Sequence, residues 1–173
     1  MTFSDISSFA SSIAVLATLV FLVIQTRQAT RNQKSLMQQG RSARLVEMIA
    51  KAAEPSFSSF MSRAYAGDLN LDAAEVRSMN AYAGAFFWSF EDSFLQHKSG
   101  LLDDASWMSD LSSLRSALTQ PAYRAGWHFA RQLLSGEYRD YIDSLMLEIK
   151  PQKHPNELTV WKDLMRKAMA EAV

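Results

Sequence analysis

The chain has no cysteine, and among its 173 residues there are only 3 histidines, 4 prolines and 6 glycines, while 18 basic and 18 acidic side chains cancel. Each scarcity excludes something. Without cysteine there is neither a disulfide-stapled secreted module nor a thiol nucleophile. A net charge of zero excludes a uniformly basic nucleic-acid binder, so no nucleic-acid partner is expected. No segment alternates apolar and polar residues as a half-buried strand would. With 48% hydrophobic and 11% aromatic residues, the chain is also too apolar for a disordered tail.

Motifs for chemistry are equally sparse. His97, His128 and His154 form no His-xxx-His or Glu-xx-His pair of the kind that sets two metal ligands on one helical face. No serine sits in a Gly-x-Ser-x-Gly elbow, and the scattered glycines build no phosphate loop. The expectation is a non-enzymatic protein without cofactor or metal. Glu91 and Asp92, set among Phe87, Phe90 and Phe94, are the carboxylates best placed for a raised pKa. A structural role is the stronger expectation for them, at the core edge beside Arg63, Arg124 or Arg131.

What the chain does have is one long apolar run. From Ile6 to Ile24 no side chain is charged, and 14 of the 19 are Ile, Phe, Ala, Val or Leu. With Gln25 the run reaches 20 residues, which as a helix spans roughly the 30 Å of a bilayer core. The reading is a transmembrane anchor over residues 1–25. A cleaved signal peptide and a buried soluble helix are the alternatives; against the first, there is no basic residue before Ile6 and no small-x-small site near Thr26. Arg27, Arg31, Lys34, Arg41 and Arg44 follow the run before the first acid, Glu47, whereas only Asp5 precedes it. The positive-inside rule then leaves the N-terminus outside and the rest in the cytoplasm, as a single-pass protein of a bacterial inner membrane. Those five bases are candidate contacts for anionic lipid. Ser7, Ala10, Ala14, Ala17 and Thr18 fall on one side of the span, a small-residue face suited to another membrane helix, whether of a membrane protein partner or of a homo-oligomer.

Beyond the span the spacing is helical throughout, and the fold class expected is all-α: a transmembrane helix, a basic juxtamembrane helix continuing it over 26–53, and a small antiparallel helical bundle over 54–149. Pro55 stops the first helix. A second covers Phe57 to Ala66, and a third runs from Leu71, with Asn70 as N-cap, to about Lys98 and the turn at Gly100. Asp103 and Asp104 open a fourth, Pro121 a fifth and Ser135 a sixth. Residues 150–173 form a polar linker and a last amphipathic helix, capped by Asn156, that packs on the bundle, on a partner or on the membrane, the bundle being favoured. Its Leu158, Trp161, Met165 and Met169 make a candidate partner face. Tyr82, Phe86, Phe90, Glu91, Trp107 and Trp127 are candidates for a pocket or for the core, and as a pocket they would suit an apolar or cationic ligand.

Charge is segregated along the chain. Residues 26–63 hold seven basic and two acidic side chains, and residues 64–114 hold two basic and eight acidic. The segments Phe21-Leu-Val-Ile-Gln-Thr-Arg-Gln-Ala-Thr-Arg31, Ser89-Phe-Glu-Asp-Ser-Phe-Leu-Gln-His-Lys-Ser-Gly-Leu-Leu102 with Trp107, Pro121-Ala-Tyr-Arg-Ala-Gly-Trp127 and Tyr138-Arg-Asp-Tyr-Ile-Asp143 resemble a widespread group of bacterial proteins. Members of that group pair one N-terminal membrane helix with a small helical cytoplasmic domain. The resemblance spans roughly residues 6–149 and implies location and architecture, without catalytic residues. Together these features predict a membrane-anchored interaction or accessory subunit; the alternative is a membrane-tethered small-molecule sensor or enzyme.

Overall fold

A computed structural model describes residues 3–152 and 157–171, and among these every regular element is helical. The order is α1 (Phe3–Ala53), α2 (Pro55–Tyr65), α3 (Ala73–Lys98), α4 (Asp104–Leu118), α5 (Pro121–Ala130), a 3-10 turn (Arg131–Leu133), α6 (Gly136–Glu148) and α7 (Glu157–Glu171). The chain divides into two compact units, the first ending at Ala43 and the second starting at Arg44. The last turns of α1 therefore belong to the second unit.

The first unit is the N-terminal part of α1. It is the one helix among the described residues that is long and apolar enough to cross a membrane. Ile13, Leu16, Val20 and Val23 are all about half exposed, as are Val15, Leu19 and Leu22 on other sides of the helix. The hydroxyls do not interrupt this surface. Ser12 donates to the Ser8 carbonyl, Thr18 to that of Ala14 and Thr26 to that of Leu22, at 2.8–2.9 Å, so each is satisfied four residues back along its own helix.

In the second unit the breaks between helices have local causes. Pro55 occupies the first turn of α2, where its missing N–H costs nothing, and Glu54 before it is extended (φ −62°, ψ 127°). Gly67 and Gly100 take positive φ, 78° and 70°, just after α2 and α3. The start of α3 differs from the sequence expectation. Asp72, not Asn70, is the N-cap: its carboxylate accepts from Ala74 and Glu75 N–H, and Glu75 reaches back to the Asp72 N–H at 2.9 Å. Asn70 has no acid three residues on; its N–H donates to Asp68 Oδ1 and holds the preceding turn. Asp103 caps α4 through Ser106, and Pro121 opens α5. The expected cap Asn156, with His154, lies outside the described residues.

The core centres on α3, which packs against α5, α4 and α2. Phe87, Leu114, Leu118, Trp127, Tyr138 and Ile142 are fully buried. Phe87 meets Trp127 edge-on at 4.9 Å between ring centroids, and Trp127 meets Tyr138 at 6.2 Å. A close approach of two helices lies beside them. A Cβ placed on Gly126 of α5 would overlap the side chain of Ala83 on α3, which is itself fully buried. Glycine here is a packing requirement rather than a turn signal. The last helix does not join this core: every described side chain of α7 is exposed, contrary to the favoured expectation that it would pack on the bundle. The buried core cluster is built from α2 to α6 and the turns between them, and no described residue of α7 takes part in it.

Gly126→Ala should destabilise the protein by about 1–3 kcal/mol, the usual cost of overpacking, in a urea titration. Adding Ala83→Gly should return part of that loss, because the two positions share one contact.

Candidate functional site

Of the six pocket or core candidates, Phe86, Glu91, Trp107 and Trp127 are buried, Phe90 and Tyr82 pack against the core, and Tyr82 also lines an open groove. Phe86 lies 4.5 Å from Phe90 and 4.7 Å from Tyr123 between ring centroids. Trp107 stacks on His97 at 5.2 Å and meets Phe94 at 6.0 Å. Trp127 is enclosed by Phe87 and Tyr138.

Glu91 is buried, but its partner is none of the arginines expected. Its Oε1 accepts from the backbone N–H of Ser135, the N-cap of α6, at 2.7 Å. A carboxylate at a helix N-terminus meets unpaired N–H groups and the positive end of the helix dipole, so Glu91 ties α3 to α6. Asp92 pairs with Arg44 of α1 and accepts from Gln96 at 2.8 Å. The three arginines are engaged elsewhere. Arg63 binds Asp68 and Glu75, each at 2.8 Å; Arg124 donates to the carbonyls of Leu118, Met146 and Ile149; Arg131 pairs with Asp143.

The bases proposed for lipid contact divide in the same way. Arg27, Arg31 and Lys34 are exposed on α1, and Arg41 is partly covered. Arg44 stands apart, since its guanidinium holds Asp92 inside the second unit. Of the small-residue face, Ala14, Ala17 and Thr18 are exposed, and the side chains of Ser7 and Ala10 lie outside the described residues. Leu158, Trp161, Met165 and Met169 are exposed on α7.

The groove that Tyr82 lines has a volume of about 850 Å³ and was not anticipated from the sequence. It runs between the last turns of α1, the start of α2 and the N-terminal half of α3. Ala74, Ser78, Ala81, Ala85 and Ser89 recur at three- and four-residue steps, so one side of α3 is nearly flat there. Met48, Phe57, Phe60 and Tyr82 supply the apolar floor, and Arg44, Glu47, Lys51, Glu54 and Glu75 the rim. Much of that rim is internally paired: Lys51 holds Glu54 at 2.7 Å and lies 5.4 Å from the Phe57 ring centre, while Glu75 holds Arg63. The sequence signal for the groove is the small-residue spacing on α3, opposite the bulky stripe.

Burial pushes Tyr123 and Tyr138 far above the ordinary tyrosine range, with nearby Tyr65 adding to the first and Glu91 to the second, so both stay neutral. Burial likewise raises Tyr82. Asp143 moves the other way. Partial burial opposes its ionisation, but hydrogen bonds from Trp127 Nε1 (2.7 Å) and Arg131, with the Arg131 charge, outweigh that and hold its pKa below the ordinary aspartate value. His97 lies 2.9 Å from Asp104, and among the described residues no three potential metal ligands cluster.

A folded-state pKa below the unfolded value means that the Asp143 contribution is present above about pH 4 and is lost as the pH falls through the folded pKa. The stability advantage of the native chain over Asp143→Asn should therefore shrink between neutral pH and about pH 3, as read from urea midpoints. An advantage that is constant over this range would show that the Asp143 charge adds nothing. No protein-family model, curated protein or solved structure matches this chain, and its functional reading rests on the residues and their geometry.

Proposed function

We propose that this is a non-enzymatic, single-pass membrane protein, anchored by α1 in a bacterial inner membrane with its N-terminus outside and a small antiparallel helical bundle in the cytoplasm. There it serves as an interaction or accessory subunit of a membrane protein complex. The observation that carries this reading is the exposure of every described apolar side chain from Ile13 to Ile24 of α1, in a helix continuous with a folded unit. A helix apolar on every side needs either a core or a lipid environment, and the described residues do not cover it. Its self-satisfied Ser and Thr hydroxyls suit lipid, where an unpaired polar group is costly. Arg27, Arg31 and Lys34 support the orientation, and the exposed Ala14, Ala17 and Thr18 support close approach of another membrane helix.

Membranes from the native source should retain the chain through carbonate washing, and mild detergent should release it together with a stoichiometric partner or a second copy. Release by carbonate alone would remove the anchor; a monomer in every mild detergent would remove the subunit role.

A second reading, a membrane-tethered sensor or enzyme for a small molecule, is favoured by the groove. Phe57, Phe60 and Tyr82 with the acids Glu47, Glu54 and Glu75 suit an apolar or cationic ligand. A ligand at a hundred times its dissociation constant stabilises a fold by about 2.7 kcal/mol, so a screen of amphiphilic cations by thermal unfolding should find a hit that Ala85→Trp abolishes. No shift with any such cation, or a shift that survives Ala85→Trp, rejects this reading.

A further inference from the structure

Helix α7 carries an apolar surface that neither the core nor the span accounts for. Trp161, Leu164, Met165 and Met169 are 58%, 58%, 42% and 67% exposed. At about 100° per residue they fall with Val160 and Ala168 on roughly one half of the helix circumference. The other half is polar, and its charges are ordered. Lys162 borders the apolar face beside Met169, Lys167 borders it beside Val160, and Arg166 lies next to Lys162. Asp163, the acid within the polar half, is held by Arg166 at 2.7 Å, while Glu157 and Glu171 fall on the apolar side at the two ends of the helix. Lys150 and Lys153 precede the helix in sequence.

We propose that α7 lies flat in the headgroup region of an anionic bilayer, its Trp161, Leu164, Met165 and Met169 among the acyl chains and Lys162, Arg166 and Lys167 against lipid phosphates. This rests on the membrane-anchored reading above, which keeps α7 close to a bilayer. Length and charge decide between lying on the membrane and crossing it. Fifteen residues reach about 22 Å as a helix, short of the roughly 30 Å of a bilayer core, and six of them are charged. A strongly two-faced helix of low overall hydrophobicity, with lysine and arginine beside the apolar face and a tryptophan within it, is the pattern of an interfacial helix. The aromatic ring suits the headgroup level.

The absence of cysteine makes the test clean. In the full chain, Leu164→Cys places a fluorophore on the apolar face and Ala170→Cys places one on the polar face. Both proteins are reconstituted in nanodiscs of phosphatidylcholine, with or without phosphatidylglycerol, containing acyl-chain quencher lipids. Quenching at position 164 should exceed that at 170 at least about twofold, and phosphatidylglycerol should increase it. Lys162→Glu with Lys167→Glu should reverse that increase while leaving helicity by circular dichroism unchanged. Equal quenching at the two positions overturns the proposal, and so does cross-linking of position 164 to the groove of a second copy. Carbonate extraction of the same proteins separates the two readings: a retained chain with equal quenching rejects the surface helix alone, whereas a released chain rejects the anchor. In the latter case the two fluorophores are read with quencher-containing vesicles added to the released chain, so α7 is judged by the same comparison.

Discussion

The second unit depends on how closely α3 and α5 approach each other. At Ala83 and Gly126 there is room for one methyl group between the two backbones and not for two. This separation sets where Phe87 and Trp127, one turn from Ala83 and one residue from Gly126, meet edge-on. From that contact the core extends to Tyr138 and Ile142 on α6 and to Leu114 and Leu118 on α4. A wider separation would leave the aromatic rings short of van der Waals contact, and interiors tolerate few such gaps.

Polar groups then fix the order of packing that apolar contact alone leaves loose. Glu91 accepts the N–H of Ser135, the N-cap of α6, Asp143 ties α6 to Trp127 and Arg131, and Arg124 gathers the last carbonyls of α4 and α6. Each of these satisfies groups that a helix end or a buried ring would otherwise leave unpaired. The ionisable residues near the core thereby hold helix ends and neighbours in place.

The two sides of α3 have opposite characters, and each has a consequence. Its bulky side builds the core. Its small side, Ala74 to Ser89, leaves an open groove against the last turns of α1 and the aromatic start of α2. In α1 the apolar part and the part that helps to form this groove belong to one helix but to different compact units, with the junction at Ala43.

The sequence by itself determined the helices, their breaks and the long apolar run, because these are local: periodicity, a proline at the first turn, a glycine at positive φ and an uninterrupted apolar window act within a few residues. It also determined that α7 is two-faced. The N-cap of α3 was misplaced by two residues because Asn70 and Asp72 are both good caps, and only the reach of Glu75 back to the Asp72 N–H distinguishes them. Tertiary structure alone decided which aromatic residues fill the core and which also line the groove, since side chains on one helix share a spacing whether they meet a neighbour or a cavity. It alone decided that Glu91 binds a backbone N–H rather than an arginine, and that Arg44 binds Asp92. Such pairings join residues more than forty positions apart, and no local rule constrains them.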